Sequence, residues 1–216
     1  MEIKVLKDIL GANEQMAQQN QRLLTENKVF AVNLMASPGA GKTSLVLETI
    51  RRLGGGYRVG VIEGDVSSSL DAELIAGEGV PVVQINTGGE CHLDASMTHN
   101  ALENLPLKDI DLLLIENVGN LICPAEFNLG EHRKVVIASV PEGDDKPFKY
   151  PAMFLKADAV VINKIDLLAY LKFDLDGFTR GVRGINQKVD IFPLSCTTGE
   201  GIEPWLHWLE AGMSQG

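Results

Sequence analysis

From Lys28 onward, short runs rich in Val, Ile and Leu alternate with stretches whose apolar residues recur at helical spacing. The runs predict strands at Val29–Met35, Arg58–Ile62, Val80–Ile85, Ile110–Ile115, Lys134–Val140, Ala159–Ile162 and Asp190–Leu194. Helices are expected between them, at Thr43–Leu53, Leu70–Ala76, Ala95–Asn104, Pro151–Leu155 and Gly201–Ala211. Several strands are apolar without interruption, as burial on both faces requires. The alternation predicts an α/β fold of three layers, with a mostly parallel central sheet between helices. Ligands of such folds bind beyond the carboxyl ends of the strands, so the informative residues should follow the strands directly. Residues 1–27 read differently. They are rich in Gln, Asn, Glu and Lys, with Ile3, Leu6, Ile9, Leu10, Leu23 and Leu24 near helical spacing. They predict an N-terminal helical arm beside a main domain at 28–216, either covering a sheet face or docking a partner.

Composition narrows the function. The chain has 216 residues, 45% of them hydrophobic, and a formal net charge of −10. That length suits one domain with an arm, and the apolar content argues against global disorder. The negative charge argues against a nucleic-acid partner, whose phosphates it repels. No apolar stretch approaches the ~18 residues of a membrane span, and Met1–Leu10 carries no signal-peptide core. There are three cysteines, Cys91, Cys123 and Cys196. An odd count without a secretion signal points to reduced thiols in a cytoplasmic protein.

The first strand runs into Ala36-Ser37-Pro38-Gly39-Ala40-Gly41-Lys42-Thr43-Ser44 and then a helix. Small residues let consecutive N–H groups converge on an anion, and the helix N-terminus adds its positive dipole end. Lys42 supplies charge for the β- and γ-phosphates, and the Thr43 hydroxyl suits Mg²⁺. This is a phosphate loop in which Ala36 replaces the usual opening Gly. Ala serves there if its φ is negative.

A later strand runs into Asn163-Lys164-Ile165-Asp166. A carboxylate at Asp166 can accept the N1–H and exocyclic amine of guanine. Adenine would leave it buried and unpaired. Lys164 can lie along the base and ribose, and Asn163 can tie this loop to the phosphate loop. The loop Ser195-Cys196-Thr197 can offer a backbone N–H to the guanine carbonyl. The expected ligand is GTP.

Two more strand ends carry acids. Glu116-Asn117-Val118-Gly119 offers a carboxylate for Mg²⁺ and, at Gly119, an N–H for the γ-phosphate. Glu63-Gly64-Asp65 offers Asp65 for the metal shell or the attacking water. Lys42, Asp65 and Glu116 are thus the catalytic candidates, and Thr43, Asp65 and Glu116 the Mg²⁺ candidates. No arginine finger is evident, so intrinsic hydrolysis should be slow.

Gly88-Gly89-Glu90-Cys91-His92 and Cys123-Pro124 place soft ligands after two strands. Thiolate and imidazole suit Zn²⁺ and Ni²⁺. Three ligands fall short of the four usual around Zn²⁺, so a fourth would come from water, Glu90 or a second subunit. Cys123 lies at most about 14 Å of chain from Gly119, so a γ-phosphate that orders Gly119 should bias Cys123. The spacing alone also allows Cys91 and Cys123 to be buried packing residues.

With these motifs together, the chain resembles the HypB-type hydrogenase nickel-incorporation GTPases. The likeness rests on the phosphate loop, Glu63-Gly64-Asp65, Gly88–Ala95, Glu116–Pro124, Glu142–Pro147 with Lys149-Tyr150-Pro151, and Asn163–Asp166. The resemblance implies a P-loop GTPase fold and a GTP-bound homodimer. It implies a Ni²⁺ or Zn²⁺ site at Cys91, His92 and Cys123. It further implies service to the large subunit of [NiFe] hydrogenase, alongside a small nickel metallochaperone. Some members carry an N-terminal Cys-rich or His-rich nickel tract. Residues 1–27 have neither Cys nor His, so nickel is expected to use the G-domain site or come from a partner. Two other classes stay open on the residues: a GTP switch without a metal role, and a phosphotransferase on the same scaffold.

Overall fold

The structure is a computed structural model that describes residues 5–66 and 68–214, with backbone alone at 5–9. Seven strands form one all-parallel sheet: β1 Phe30–Ala36, β2 Val59–Asp65, β3 Val82–Asn86, β4 Leu112–Glu116, β5 Arg133–Ser139, β6 Ala159–Asn163 and β7 Asp190–Pro193. Their order is β3-β2-β4-β1-β5-β6-β7. The chain builds outward on one side of β1, returns through β4, and then builds outward on the other. The reversal beside β1 is where such sheets open a crevice.

Helices cover both faces, giving the three-layer α/β/α P-loop GTPase fold. On one face α2 (Lys42–Leu53), α3 (Leu70–Ala76) and α8 (Ile202–Met213) pack on Val32, Leu34, Val61 and Leu114. Trp205 of α8 is fully buried there, and its Nε1–H donates to Thr49 Oγ1 of α2 at 3.0 Å. On the other face α1 (Val5–Glu26) and α4 (Ala95–Glu103) cover β2 and β4. Beyond them α6 (Pro151–Leu155) and α7 (Leu175–Ile185) cover β5 and β6, preceded by a single turn, α5 (Lys146–Lys149). Strands β1, β4 and β6 are buried along their whole length, as their nearly continuous apolar runs predict, with Asn33 the polar residue inside β1.

Of the apolar positions in α1, Leu24 is fully buried and Leu10 is half exposed. Ile3 lies outside the described residues, as do the side chains of Leu6 and Ile9. Polar side chains also fix α1: buried Asn20 donates to Ala95 O and Leu129 O, both at 2.8 Å. The sequence pattern misses α7, because Gly177, Gly181 and Gly184 dilute its helix propensity. Asp174 nevertheless caps it, accepting from Gly177 N at 2.8 Å, and Phe178 and Val182 bury one face.

Candidate functional site

The loop between β1 and α2 begins inside the sheet. Ala36 ends β1, and the described non-glycine residues with positive φ are Lys28 and Lys164. Its negative φ removes any need for glycine at that position. Gly41, at φ 97°, does require glycine, because a Cβ there would collide with the Asn163 amide. Gly41 is also the N-cap of α2 and contributes no side chain, so the first amides of the helix keep no side-chain partner. An anion fits that vacancy in the hydrogen-bonding pattern. The cleft above has a volume of about 550 Å³ and is lined by Pro38, Gly39, Gly41, Lys42, Thr43 and Ser44, together with Asp65, Glu116, Gly119 and Lys164. Ala40 is buried beneath it, and the Ser37 hydroxyl donates to Glu142.

Glu116, at the end of β4, accepts from Thr43 Oγ1 at 2.9 Å and lies 4.0 Å from Lys42 Nζ. Its other oxygen is buried without a partner among the described residues. Burial raises its pKa to about 7 against the opposing pull of Lys42 and Thr43. Across the sheet, Glu63 stands in register with Glu116 and is equally buried, 2% exposed, with its Oε2 also unpartnered among the described residues. Burial, and then the Glu116 charge, push Glu63 to about 8. Two buried, under-bonded carboxylates beside a threonine hydroxyl fit a hard divalent cation such as Mg²⁺. Glu63 was not among the expected site residues. The expected strand stops at Ile62, whereas β2 continues to Asp65 and carries Glu63 inside the sheet on the phosphate-loop face. Asp65 lines the cleft and accepts from Ser68 N at 2.7 Å.

Three loops meet beside this cleft. Asn163, at the end of β6, donates to Ala40 O at 3.1 Å and accepts from Lys164 N at 2.7 Å and Cys196 N at 3.3 Å. Lys164 takes φ 63° and donates to Gly39 O at 2.6 Å. Asp166 accepts from Ser195 Oγ at 2.5 Å, and that hydroxyl accepts in turn from the N–H groups of Thr197 and Thr198, both at 3.2 Å. The Asn163–Asp166 and Ser195–Thr197 loops are therefore joined to each other and to the phosphate loop. Cys196 is half-buried, and burial pushes its thiol to about 12, so it packs without being nucleophilic.

Cys91, His92 and Cys123 converge outside the cleft, with their ligand atoms all within 4.8 Å of one another. Cys91 Sγ and His92 Nδ1 are 3.8 Å apart. The His92 ring stacks on Phe127, with centroids at 3.9 Å and planes at 27°. The Cys91 thiol is raised, first by its hydrogen bond with Cys123 and then by burial. A cation bound between the two sulfurs would take the place of the Cys91 proton. The donor set fits Ni²⁺ or Zn²⁺. Cleft and cluster share one stretch of chain: a Cβ on Gly119 would sit 2.9 Å from Pro38 Cγ, and Cys123 follows four residues later.

Fold and site together define a P-loop nucleotide-binding protein of the GTPase class. Residues 30–193 match the family model for the CobW/HypB/UreG nucleotide-binding domain. The chain is 47% identical over 208 residues to the hydrogenase maturation factor HypB of Escherichia coli K12, covering 96% of this chain and 72% of that one. Two solved structures superpose closely. HypB from Archaeoglobus fulgidus has a TM-score of 0.89 at 41% identity, covering 94% of this chain and 99% of that one. HypB from Helicobacter pylori, solved in complex with nickel, has a TM-score of 0.90 at 35% identity, covering 94% and 96%. The chain belongs to the CobW/HypB/UreG family, in its HypB branch. No helix among the described residues is long and apolar enough to cross a membrane.

Proposed function

We propose that this protein binds and slowly hydrolyses GTP and assists nickel insertion during [NiFe] hydrogenase maturation, with Ni²⁺ as cargo at Cys91, His92 and Cys123. The observation that carries this reading is the continuity of 116–123 between the phosphate cleft and the thiol–imidazole cluster. Ser37, Pro38, Gly39, Ala40, Gly41, Lys42, Thr43 and Ser44 cradle the phosphates, and Gly119 meets the terminal one. Asp166, with Asn163, Lys164 and the Ser195–Thr197 loop, selects guanine. Thr43, Asp65 and Glu116, with Glu63 beside Glu116, would hold Mg²⁺, which neutralises charge on the phosphates. Asp65 orients the attacking water, and Lys42 stabilises charge at the γ-phosphoryl group as its bond to the β-phosphate breaks. The same cluster accepts Zn²⁺ as an alternative ion.

A second subunit completes the site. Three donors leave the cation under-coordinated, Cys91 is exposed, and the neighbouring Ile122 is 63% exposed. The GTP-bound form pairs as a homodimer in the cytoplasm, receives nickel from a small metallochaperone, and serves the hydrogenase large subunit. Light scattering with GDP or a non-hydrolysable GTP analogue, with and without Ni²⁺, tests the reading, alongside phosphate release from GTP and ATP. A dimer with the GTP analogue that responds to Ni²⁺, and release from GTP alone, support it. A monomer under every condition, or faster ATP turnover, overturns it.

A further inference from the structure

The stretch 116–123 carries two asparagines that no part of the nucleotide or metal reading uses. Asn117 follows Glu116 and is fully buried. Its Oδ1 accepts from Val118 N at 3.0 Å and from Leu93 N at 3.1 Å. Its Nδ2 donates to Asn33 Oδ1 of β1 at 3.2 Å, and buried Asn33 donates onward to Glu131 at 3.1 Å. Asn120 follows Gly119. Its Nδ2 donates to Cys91 O at 3.2 Å, and its Oδ1 accepts from Ile122 N at 2.9 Å.

The two amides grip the same foreign loop from both sides of its metal ligands. Asn117 holds the main chain just after His92, and Asn120 holds the main chain of Cys91 itself. Both belong to the segment whose Gly119 rests on Pro38 of the phosphate loop. They differ in their surroundings. Asn117 is anchored to the sheet through Asn33, so it acts as a fixed post. Asn120 is half-buried and, among the described residues, bonds Cys91 O and Ile122 N with no bond to the sheet, which leaves it free to follow Gly119. A displacement of Gly119 toward a γ-phosphate draws the Asn120 amide with it, and the Cys91 carbonyl follows or loses its donor. Cys91 Sγ then shifts relative to Cys123 Sγ while Leu93 stays on its post. Soft-metal sites respond steeply to such changes, because outer hydrogen bonds orient the ligands.

Resting on the metal reading above, we infer that Asn120 is the positioning residue through which the nucleotide sets nickel affinity, with Asn117 as the fixed point against which it works. The coupling is carried by a side-chain amide spanning two loops, in addition to the chain that joins Gly119 to Cys123.

Titrating Ni²⁺ into the full chain, loaded with Mg²⁺ and either GDP or a non-hydrolysable GTP analogue, tests this. The readout is the thiolate-to-nickel charge-transfer absorption together with the calorimetric dissociation constant. In the unaltered protein the two nucleotide states should differ in nickel affinity by about 5- to 150-fold, the usual span of allosteric coupling. Asn120→Ala should shrink that ratio to within about twofold, with nickel stoichiometry and affinity for the GTP analogue unchanged. Asn120→Asp keeps the acceptor for Ile122 N and loses the donor to Cys91 O. Its added charge acts on both states alike and leaves their ratio untouched, so the loss of the donor to Cys91 O should shrink the ratio as it does in Asn120→Ala. A ratio that survives in both variants overturns the inference while leaving the metal reading intact. An unaltered protein that takes up no nickel defeats the metal reading itself, and the inference with it.

Discussion

The phosphate-loop end and the thiol–imidazole end of this molecule are built on different plans. The first is assembled from strand ends. Ala36, Glu63, Glu116 and Asn163 all finish or lie within buried strands, so the sheet fixes their positions before any ligand arrives. The second is assembled from loops. Cys91 is exposed in a loop held by the Asn117 and Asn120 side chains, His92 stacks on Phe127, and Cys123 sits in a short turn beyond the sheet. The rigid end suits a phosphate chain that must be held in one place, and the loop-built end suits an ion that must be taken up and released. The segment 116–123 crosses from one plan to the other.

That contrast can be broken at several points. The largest effect is expected at Lys42. Lys42→Ala should lower GTP hydrolysis by about 100-fold or more, measured by phosphate release, while nickel titration without nucleotide stays as before. Loss of nickel binding in this variant would show that the two ends are not separately built. Next comes Asp166. Asp166→Ala should weaken GDP by about 10- to 100-fold, because hydrogen bonds to a charged acceptor contribute about 1.5–3 kcal/mol. Fluorescence titration with a labelled guanine nucleotide checks this, and unchanged affinity would remove Asp166 from the base site. Cys123→Ala should weaken nickel by about tenfold at least, and GDP binding should not move. Equilibrium dialysis with Ni²⁺ reads it.

The smallest effect is expected at Glu63, and it has a definite pH dependence. Its folded pKa, about 8, lies above the ordinary value of 4.5, so the folded chain holds this proton more tightly than the unfolded chain. The stability from that proton is complete below pH 4.5 and is lost as pH rises through about 8. Glu116, raised to about 7, acts with the same sign. Without nucleotide or Mg²⁺, Glu63→Gln should therefore raise Tm by about 3 °C at pH 8 and by little at pH 5. A lower Tm at pH 8 would mean that Glu63 has a native partner, which would undo the picture of an acid pair awaiting a cation.

The two ends also differ in how far the residues betray them. Seven strands and the α/β layering follow from the apolar runs, because a strand buried on both faces leaves little choice of residue. The phosphate loop is contiguous, so its chemistry is visible in the order of its residues. The cluster at Cys91, His92 and Cys123 is readable only as fragments, since its convergence depends on how two loops fold over the sheet edge. Glu63 was hidden by an apolar run that ended too early, and α7 by its three glycines. Asn117 and Asn120 gave no signal, because an asparagine in a loop reads as a turn residue until its partners are known.

Linkage requires the effect to run backward as well as forward. The most direct measurement is therefore a calorimetric titration of a non-hydrolysable GTP analogue, and separately of GDP, into the Mg²⁺-supplied protein with and without one equivalent of Ni²⁺. Ni²⁺ should change the affinity for the GTP analogue by about fivefold or more and leave GDP nearly unmoved. Equal affinities for the analogue in the presence and absence of Ni²⁺ would contradict the coupling.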